Sequence, residues 1–185
     1  MQWRNTAQRW GLPAQLFHWL IALAVFALFV LGWVMVSYRM SPTKFQLYSL
    51  HKSLGLTVLL LVVLRLAWRA FNVTPAPPTG SPRWERRAAT LTHWLLYALL
   101  LAMPLSGYLI NSAANFPLVV WGVLPLPNLT GENEQLQAWA EAAHLAMFWL
   151  LAGLIVLHVA AALRHHWLLK DDVLRRMLPW CGRGG

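Results

Sequence analysis

Four apolar stretches, each long enough to cross a lipid bilayer as a helix, constrain this chain of 185 residues more than any other feature. A helix rises about 1.5 Å per residue, so about 20 apolar residues cover the hydrocarbon core. Only 11% of the residues are charged, which is well below the share in soluble domains. The sequence therefore predicts an all-α, integral membrane four-helix bundle that forms a single domain over residues 1–185, with helices at about 14–36, 48–70, 90–111 and 139–163.

The first stretch, residues 14–36, is interpreted as a retained helix and not as a cleaved signal peptide. Its apolar part is too long, it carries His18 and Trp19, and no small-residue cleavage site follows it. A Pro-rich turn over residues 75–82 separates the second and third helices, because no helix runs through such a segment. The longer loop before the fourth helix has an apolar part, residues 118–123, that we expect to lie on the membrane surface.

Positive charge is unevenly distributed between the two ends of the predicted bundle. Only Arg39, Lys44 and Lys52 of the 15 basic residues belong to the end away from the termini. The other 12 flank the termini or the turn between the second and third helices: Arg4, Arg9, Arg65, Arg69, Arg83, Arg86, Arg87, Arg164, Lys170, Arg175, Arg176 and Arg183. The positive-inside rule then predicts cytoplasmic N- and C-termini, and the net charge needs no nucleic-acid partner to explain it.

His144 and His158 are 14 residues apart on the fourth helix. That spacing is nearly four turns and a rise of about 21 Å, so both imidazoles face the same way near opposite membrane surfaces. Ionisable groups inside a membrane are costly and usually functional. His51 falls at the level of His144, whereas His18 and His93 fall at the level of His158. Two bis-histidine sites follow: His51 with His144, and His158 with either His18 or His93.

Such pairs suit two non-covalent b-type haems, because neutral imidazole is a common haem ligand and facing helices accommodate a flat cofactor. Gly55 and Gly153 lie near the ligands and would let a porphyrin approach the backbone. The lone cysteine, Cys181, excludes covalent attachment through C-x-x-C-H and an iron–sulfur ligand set.

Two other roles are open to these histidines. A single histidine near a helix end often makes only an interfacial hydrogen bond, and a haem-free bundle can use histidines for proton or metal transport. Transport usually brings intramembrane carboxylates, yet the nearest acidic residue is Glu141, one turn inside a helix end. His165 and His166 are most simply a surface pair beside Arg164, with contact to a haem propionate or a quinone as the alternative.

Four segments carry a resemblance to a known family. They are L-F-H-W-L around His18, L-H-K-S-L-G-L around His51, L-T-H-W-L-L-Y-A-L-L-L-A-M-P-L-S-G around His93, and the run from His158 to Pro179. Together they resemble the bacterial cytochrome b561 family of four-helix dihaem proteins over nearly the whole chain. The resemblance implies that His18 and His158 ligate one haem, that His51 and His144 ligate the other, and that His93 lies beside a haem or at a quinone site.

Within that family the likeness is to the superoxide oxidases, which are superoxide:ubiquinone oxidoreductases of the bacterial inner membrane. It implies that the chain is an oxidoreductase that transfers electrons from superoxide to ubiquinone. Lys52 departs from the shared pattern. Together, Lys52, Arg39 and Lys44 form either a positive funnel that attracts a small anion or a set of ordinary interfacial anchors. His93 and Ser106 are expected near the quinone ring, together with the pair His165 and His166.

Arg65 and Arg69, with Arg86 or Arg87, are expected to bind haem propionates by charge-assisted hydrogen bonds, and lipid phosphates are their alternative partner.

A different function also remains open: a cytochrome b subunit that links the quinone pool to a separate dehydrogenase, hydrogenase or periplasmic redox protein. The short loops favour a self-contained enzyme, because the longest of them spans only residues 112–137.

Overall fold

The structure is a computed structural model that describes residues 2–78 and 80–179; Cys181 and Arg183, named above, lie outside them. Within these described residues, four helices are long and apolar enough to cross a membrane. The prediction of a membrane bundle of four long helices is therefore confirmed. The elements are α1 (Leu12–Ser37), α2 (Pro42–Ala70), α3 (Arg83–Ala113), β1 (Leu118–Val120), β2 (Leu124–Leu126), α4 (Glu134–Trp167) and a 3₁₀ helix (Arg175–Met177).

Helices α2, α3 and α4 begin several residues before the apolar stretches that predicted them. The apolar length reflects the thickness of the bilayer, whereas a helix begins where its first backbone N–H groups find partners. The Ser41 side chain accepts a hydrogen bond from the Lys44 amide at the start of α2, and Asn133 accepts one from the Leu136 amide before α4. Both caps lie in polar sequence outside the apolar stretches.

The most deeply buried core lies midway along the bundle, between the two histidine levels. Ile21 and Val25 of α1 pack with Val58 and Val62 of α2, and the exposed fraction of Val62 is 0%. Half-buried side chains from α3 and α4, including Tyr97, Leu100, Leu101 and Ile155, pack around them. In sequence, every one of these residues falls between the two histidine levels of its helix, so this core separates the levels.

The loop between α3 and α4 folds into an antiparallel hairpin, which the sequence analysis did not predict. Leu118 pairs with Leu126, and the turn is made at Trp121 and Gly122, whose φ angles are 53° and 70°. The hairpin packs on α2, because the Trp121 amide donates to Ser53 Oγ at 2.9 Å. Leu118, only 3% exposed, faces inward, so the hairpin covers the bundle end away from the termini.

The opposite end carries the described N-terminal segment and the residues that follow α4, and it is tied together by side chains that bind backbone carbonyls. Asn5 Nδ2 donates to the Val73 carbonyl at 2.9 Å, which joins the N-terminal segment to the α2–α3 connection. Gln15 Nε2 donates to the Arg176 carbonyl at 3.0 Å, and Arg176 Nη1 donates to the Ala76 carbonyl at 2.7 Å. These bonds place the segment after α4 beneath the start of α1.

Candidate functional site

The 14-residue spacing that marks His144 and His158 recurs in every helix of the bundle. The pairs are His18 and Gly32 on α1, His51 and Arg65 on α2, His93 and Gly107 on α3, and His144 and His158 on α4. Each pair spans nearly four turns and so occupies one face of its helix. This spacing identifies Gly32 and Gly107, which the sequence analysis missed.

Because the chain direction alternates, these residues form two levels. The distal level, away from the termini, comprises Gly32, His51, Gly107 and His144. The proximal level, near the termini, comprises His18, Arg65, His93 and His158.

At the distal level, His51 and His144 line a cavity of about 470 Å³ among mostly apolar side chains from α1 to α4. Its volume falls in the range of small-molecule sites, roughly 300–1,000 Å³. A Cβ on Gly32 would lie 3.6 Å from His51 Cε1, and one on Gly107 would lie 3.6 Å from His144 Cε1. Each glycine therefore lets an imidazole lie directly against a neighbouring helix.

Gly55 and Gly153, the two glycines that the sequence predicts near the ligands, differ in their position relative to the cavity. Gly55 lines the distal cavity, and a Cβ there would meet no atom within 4 Å, which fits the expectation that a flat cofactor approaches this backbone. Gly153 is exposed on α4 and is absent from the cavity lining. The structure thus brings Gly55 to the site and leaves Gly153 on the outer surface.

His144 is held by the Ser106 hydroxyl. Ser106 Oγ lies 2.8 Å from His144 Nδ1 and also donates to the Met103 carbonyl at 2.8 Å. The sequence predicts Ser106 near a quinone, whereas the structure places it against His144, a predicted haem ligand. Within the described residues, His51 Nδ1 is buried and has no hydrogen-bond partner, so the two distal histidines differ in how they are oriented.

Lys52 is half-buried and lines the same cavity beside His51. Its Nζ donates to Asn111 Oδ1 at 2.9 Å. Lys44 Nζ instead donates to the Tyr38 carbonyl at 2.9 Å, outside the cavity, and Arg39 is exposed. Of the three cations expected to form a funnel, Lys52 is therefore the one placed at this cavity.

At the proximal level, His158 lies close to both candidate partners. Its ring centroid is 6.1 Å from that of His18 and 5.4 Å from that of His93. Since a metal–imidazole bond is about 2 Å long, two rings on opposite sides of one metal have centroids roughly 6 Å apart. The His18–His158 separation is closer to this value, so this pair would suit a shared iron better than His93 with His158.

Arg65 contacts His18 directly, with Nη1 2.8 Å from His18 Nδ1, and its Nε donates to the Tyr97 hydroxyl at 3.1 Å. A guanidinium only donates, so His18 Nδ1 accepts in this arrangement and the ring proton lies on Nε2. Ligation through Nε2 therefore requires Arg65 to leave Nδ1, which would turn the guanidinium toward another acceptor. Arg69 stacks on the Trp94 ring at 5.6 Å and on Tyr97 at 5.8 Å.

Beyond the proximal level, His165 and His166 follow His158 toward the termini. His165 is seven residues, or about two turns, past His158 and so lies on the same face of α4. Its Nδ1 is 2.5 Å from Asp171 Oδ2. His166 Nδ1 is buried without a hydrogen-bond partner among the described residues. Of the two, His165 is therefore the one with a carboxylate partner.

No three His, Cys, Asp or Glu side chains within residues 2–78 and 80–179 are arranged to hold a metal ion by themselves. His51 and His144 line one cavity at the distal level, and His158 lies near His18 and His93 at the proximal level. Two such histidines would supply the nitrogen ligands that a haem iron takes from the protein, because the porphyrin supplies the other four.

Residues 9–180 match a family model described as prokaryotic cytochrome b561. Cytochrome b561 homolog 2 of Escherichia coli strain K12 is 37% identical to this chain, over 96% of this chain and 95% of that protein. A Yersinia pestis protein named probable superoxide oxidase CybB is 30% identical, over 88% and 91%. Cytochrome b562 of Cereibacter sphaeroides is 30% identical, over 87% and 89%.

Proposed function

This chain belongs to the prokaryotic cytochrome b561 family of electron-transfer membrane proteins, which carry b-type haem, and we propose that it transfers electrons from superoxide to ubiquinone through two haems. The observation that supports this most directly is the presence of histidines at two interior levels, separated by the buried core. His51 and His144 would hold the distal haem, and His18 and His158 the proximal one. Arg65 and Arg69 would hold propionates at the proximal level.

A haem b held by two histidines would supply one-electron transfer and would leave oxygen no free ligand position. The surrounding protein therefore has to bring donor and acceptor to the two levels. Oxidation of superoxide releases one electron and O₂, whereas ubiquinone takes two electrons and two protons. Two superoxide ions are consumed for each ubiquinol formed, and two electron-storing levels suit that stoichiometry.

Electron entry is assigned to the distal level because Lys52 lines its cavity. The side chain is half-buried beside His51, where a positive charge is screened less than on an open surface. A cation in such a position raises the local concentration of a small anion. The name of the Yersinia pestis relative, probable superoxide oxidase, supports superoxide as that anion.

Electron exit to ubiquinone is assigned to the proximal level. His93 lies 5.4 Å from His158, ring to ring, and is the more exposed of the two. His165, held at 2.5 Å by Asp171, lies two turns nearer the termini and can pass protons to a reduced quinone. Ser106 is placed at the distal level, so we do not assign it to the quinone.

The protein is proposed to lie in the bacterial inner membrane with both termini in the cytoplasm. The support is the charge distribution, with 12 of 15 basic residues at the end that carries the termini. Superoxide would then enter from the periplasmic side. Protons for ubiquinol would come from the cytoplasmic side, where His165 lies.

The alternative proposal is a cytochrome b subunit that links the quinone pool to a separate dehydrogenase, hydrogenase or periplasmic redox protein. Stopped-flow spectroscopy of the purified chain separates the two. Superoxide alone should reduce the haems rapidly, superoxide dismutase should abolish that reduction, and a ubiquinone analogue should reoxidise them. Haems that stay oxidised with superoxide and are reduced only when a partner protein is added would support the subunit and contradict the oxidase.

Replacing Lys52 with glutamine should slow haem reduction by superoxide about tenfold and weaken its dependence on ionic strength, because the anion loses its local attraction. Lys52→Arg should keep most of the rate. Lys170→Gln removes the same charge from an exposed position at the other end of the bundle and should have no effect. Equal rates for the Lys52→Gln and Lys170→Gln variants would remove Lys52 from the proposal.

A further inference from the structure

A groove on the outer surface of α3 has no part in the function proposed above. It has a volume of about 590 Å³ and is lined by Arg83, Arg86, Arg87, Thr90, Leu91 and Trp94. These positions follow a three- and four-residue spacing, so they lie along one face of the helix. All of them are exposed, and the expectation that Arg86 or Arg87 binds a haem propionate is not supported by this outward position.

Within the described residues, the positive charge of the groove is not neutralised by neighbouring carboxylates. Glu85, the carboxylate within the same turn, pairs instead with Arg164 at 3.1 Å. Among the residues that the structure describes, Arg83, Arg86 and Arg87 have no carboxylate within ion-pair distance. A cluster of three guanidinium groups at the end of a membrane helix favours an anionic partner.

The inner part of the groove is apolar. Leu91 is 61% exposed and Trp94 is 54% exposed, and both lie on the bilayer side of the arginines. The Arg69 guanidinium lies over the Trp94 ring, 5.6 Å from its centroid. A charged rim followed by an apolar surface matches a phospholipid, with its phosphate at the rim and an acyl chain below.

We propose that this groove binds an anionic phospholipid, and that cardiolipin, with two phosphates, fits three guanidinium groups best. Each basic group near an anionic headgroup contributes a factor of about five in affinity. The triple variant R83Q/R86Q/R87Q should therefore lose roughly a hundredfold. A control, R4Q/R39Q/K170Q, removes the same charge from three exposed, scattered positions.

Native mass spectrometry of the delipidated full-length protein with added cardiolipin or phosphatidylcholine tests this. The wild type and the control should bind cardiolipin in preference to phosphatidylcholine, and the triple variant should lose that preference. The single variant R86Q should lose a smaller factor and provides the test if the triple variant does not fold. Equal binding of both lipids by the wild type, unchanged binding by the arginine variants, or an equal loss in the control would each overturn the proposal.

A separate observation concerns the hydroxyl of Ser106, which contacts two groups at 2.8 Å, the Met103 carbonyl and His144 Nδ1. A hydroxyl has one proton to donate, and a carbonyl can only accept. The proton of Ser106 is therefore directed to Met103, and Ser106 Oγ accepts from His144 Nδ1–H. This fixes the imidazole tautomer and leaves the lone pair on Nε2 free for a metal.

We infer that Ser106 is a positioning residue that orients His144 and increases its strength as a ligand. The inference rests on the proposed distal haem. His51, whose Nδ1 has no partner in the described part of the chain, lacks such support. Because Ser106 contacts a histidine of the distal level, loss of its hydroxyl should change the distal haem and leave the proximal haem unaltered.

Redox titration of the purified dihaem protein tests this. Ser106→Ala should weaken electron donation by His144 and so raise the midpoint potential of the distal haem. The expected rise is about 59 mV, which corresponds to roughly a tenfold change in the equilibrium constant for reduction. Ser106→Thr should restore the wild-type value. Ser112→Ala is the matched control, because Ser112 Oγ donates to the Tyr108 carbonyl at 2.9 Å on the same helix and touches no histidine.

Unchanged potentials in Ser106→Ala, or a shift in Ser106→Thr as large as that in Ser106→Ala, would overturn the positioning role while leaving the two-haem proposal intact. A wild type without haem would instead overturn the proposed function, and the positioning role with it. Haem content is therefore measured first in every variant.

Discussion

Replacing His144 with leucine is expected to reduce the haem content from two to one per chain. His144 lines the distal cavity with His51, and a non-covalent haem that loses one of two axial ligands is no longer retained. Leucine is apolar and of similar size, so the bundle should still insert and fold. His158→Leu should likewise remove the proximal haem. Pyridine haemochrome analysis per mole of protein measures both losses.

His18 and His93 both lie near His158, and replacing each in turn tests which of them is the proximal ligand. If His18 is the proximal ligand, His18→Leu should lose one haem and His93→Leu should keep both, because the His18–His158 separation of 6.1 Å fits a shared iron better than the 5.4 Å of His93. The reverse result would exchange the roles of His18 and His93. Two haems per chain in His144→Leu or His158→Leu would contradict the assignment of α4 as the helix that ligates both.

Replacing Gly107 with leucine is expected to abolish the distal haem while leaving the proximal one in place. A Cβ at this position already reaches 3.6 Å from His144 Cε1, so alanine fits in ordinary contact. The remaining atoms of leucine would either displace His144 or fill the cavity beside it. Gly32→Leu should act in the same way through His51. Haem content and the reduced visible spectrum report the loss.

Gly153→Leu is the matched control for the glycine prediction, since Gly153 is exposed on α4 and a Cβ there meets no atom within 4 Å. It should keep both haems. Gly107→Ala should keep both as well. A full haem complement in Gly107→Leu would show that the distal cavity is not where the cofactor lies.

The helices and the two histidine levels could be predicted because each depends on one simple quantity. Apolar length indicates a membrane span, and alternation of chain direction then assigns His18 and His158 to one level and His51 and His144 to the other. The ends of the helices were predicted less well, because capping by Ser41 and Asn133 depends on polar residues beyond the apolar stretches.

Contacts between side chains of different helices could not be predicted in the same way. The pairing of Ser106 with His144, and of Arg65 with His18, depends on how each helix is rotated about its axis and on individual rotamers. The hairpin of residues 118–126 depends on hydrogen bonds from Trp121 to α2, which are distant in sequence. Gly32 and Gly107 could have been predicted, because the 14-residue spacing was present in every helix.

The stoichiometry of haem in the purified full-length chain, expressed with ample porphyrin supply, tests the central claim most directly. Pyridine haemochrome analysis combined with iron determination should give two b-type haems per chain. A colourless protein, or a single haem in the wild type, would contradict the account of two histidine levels that each hold a haem.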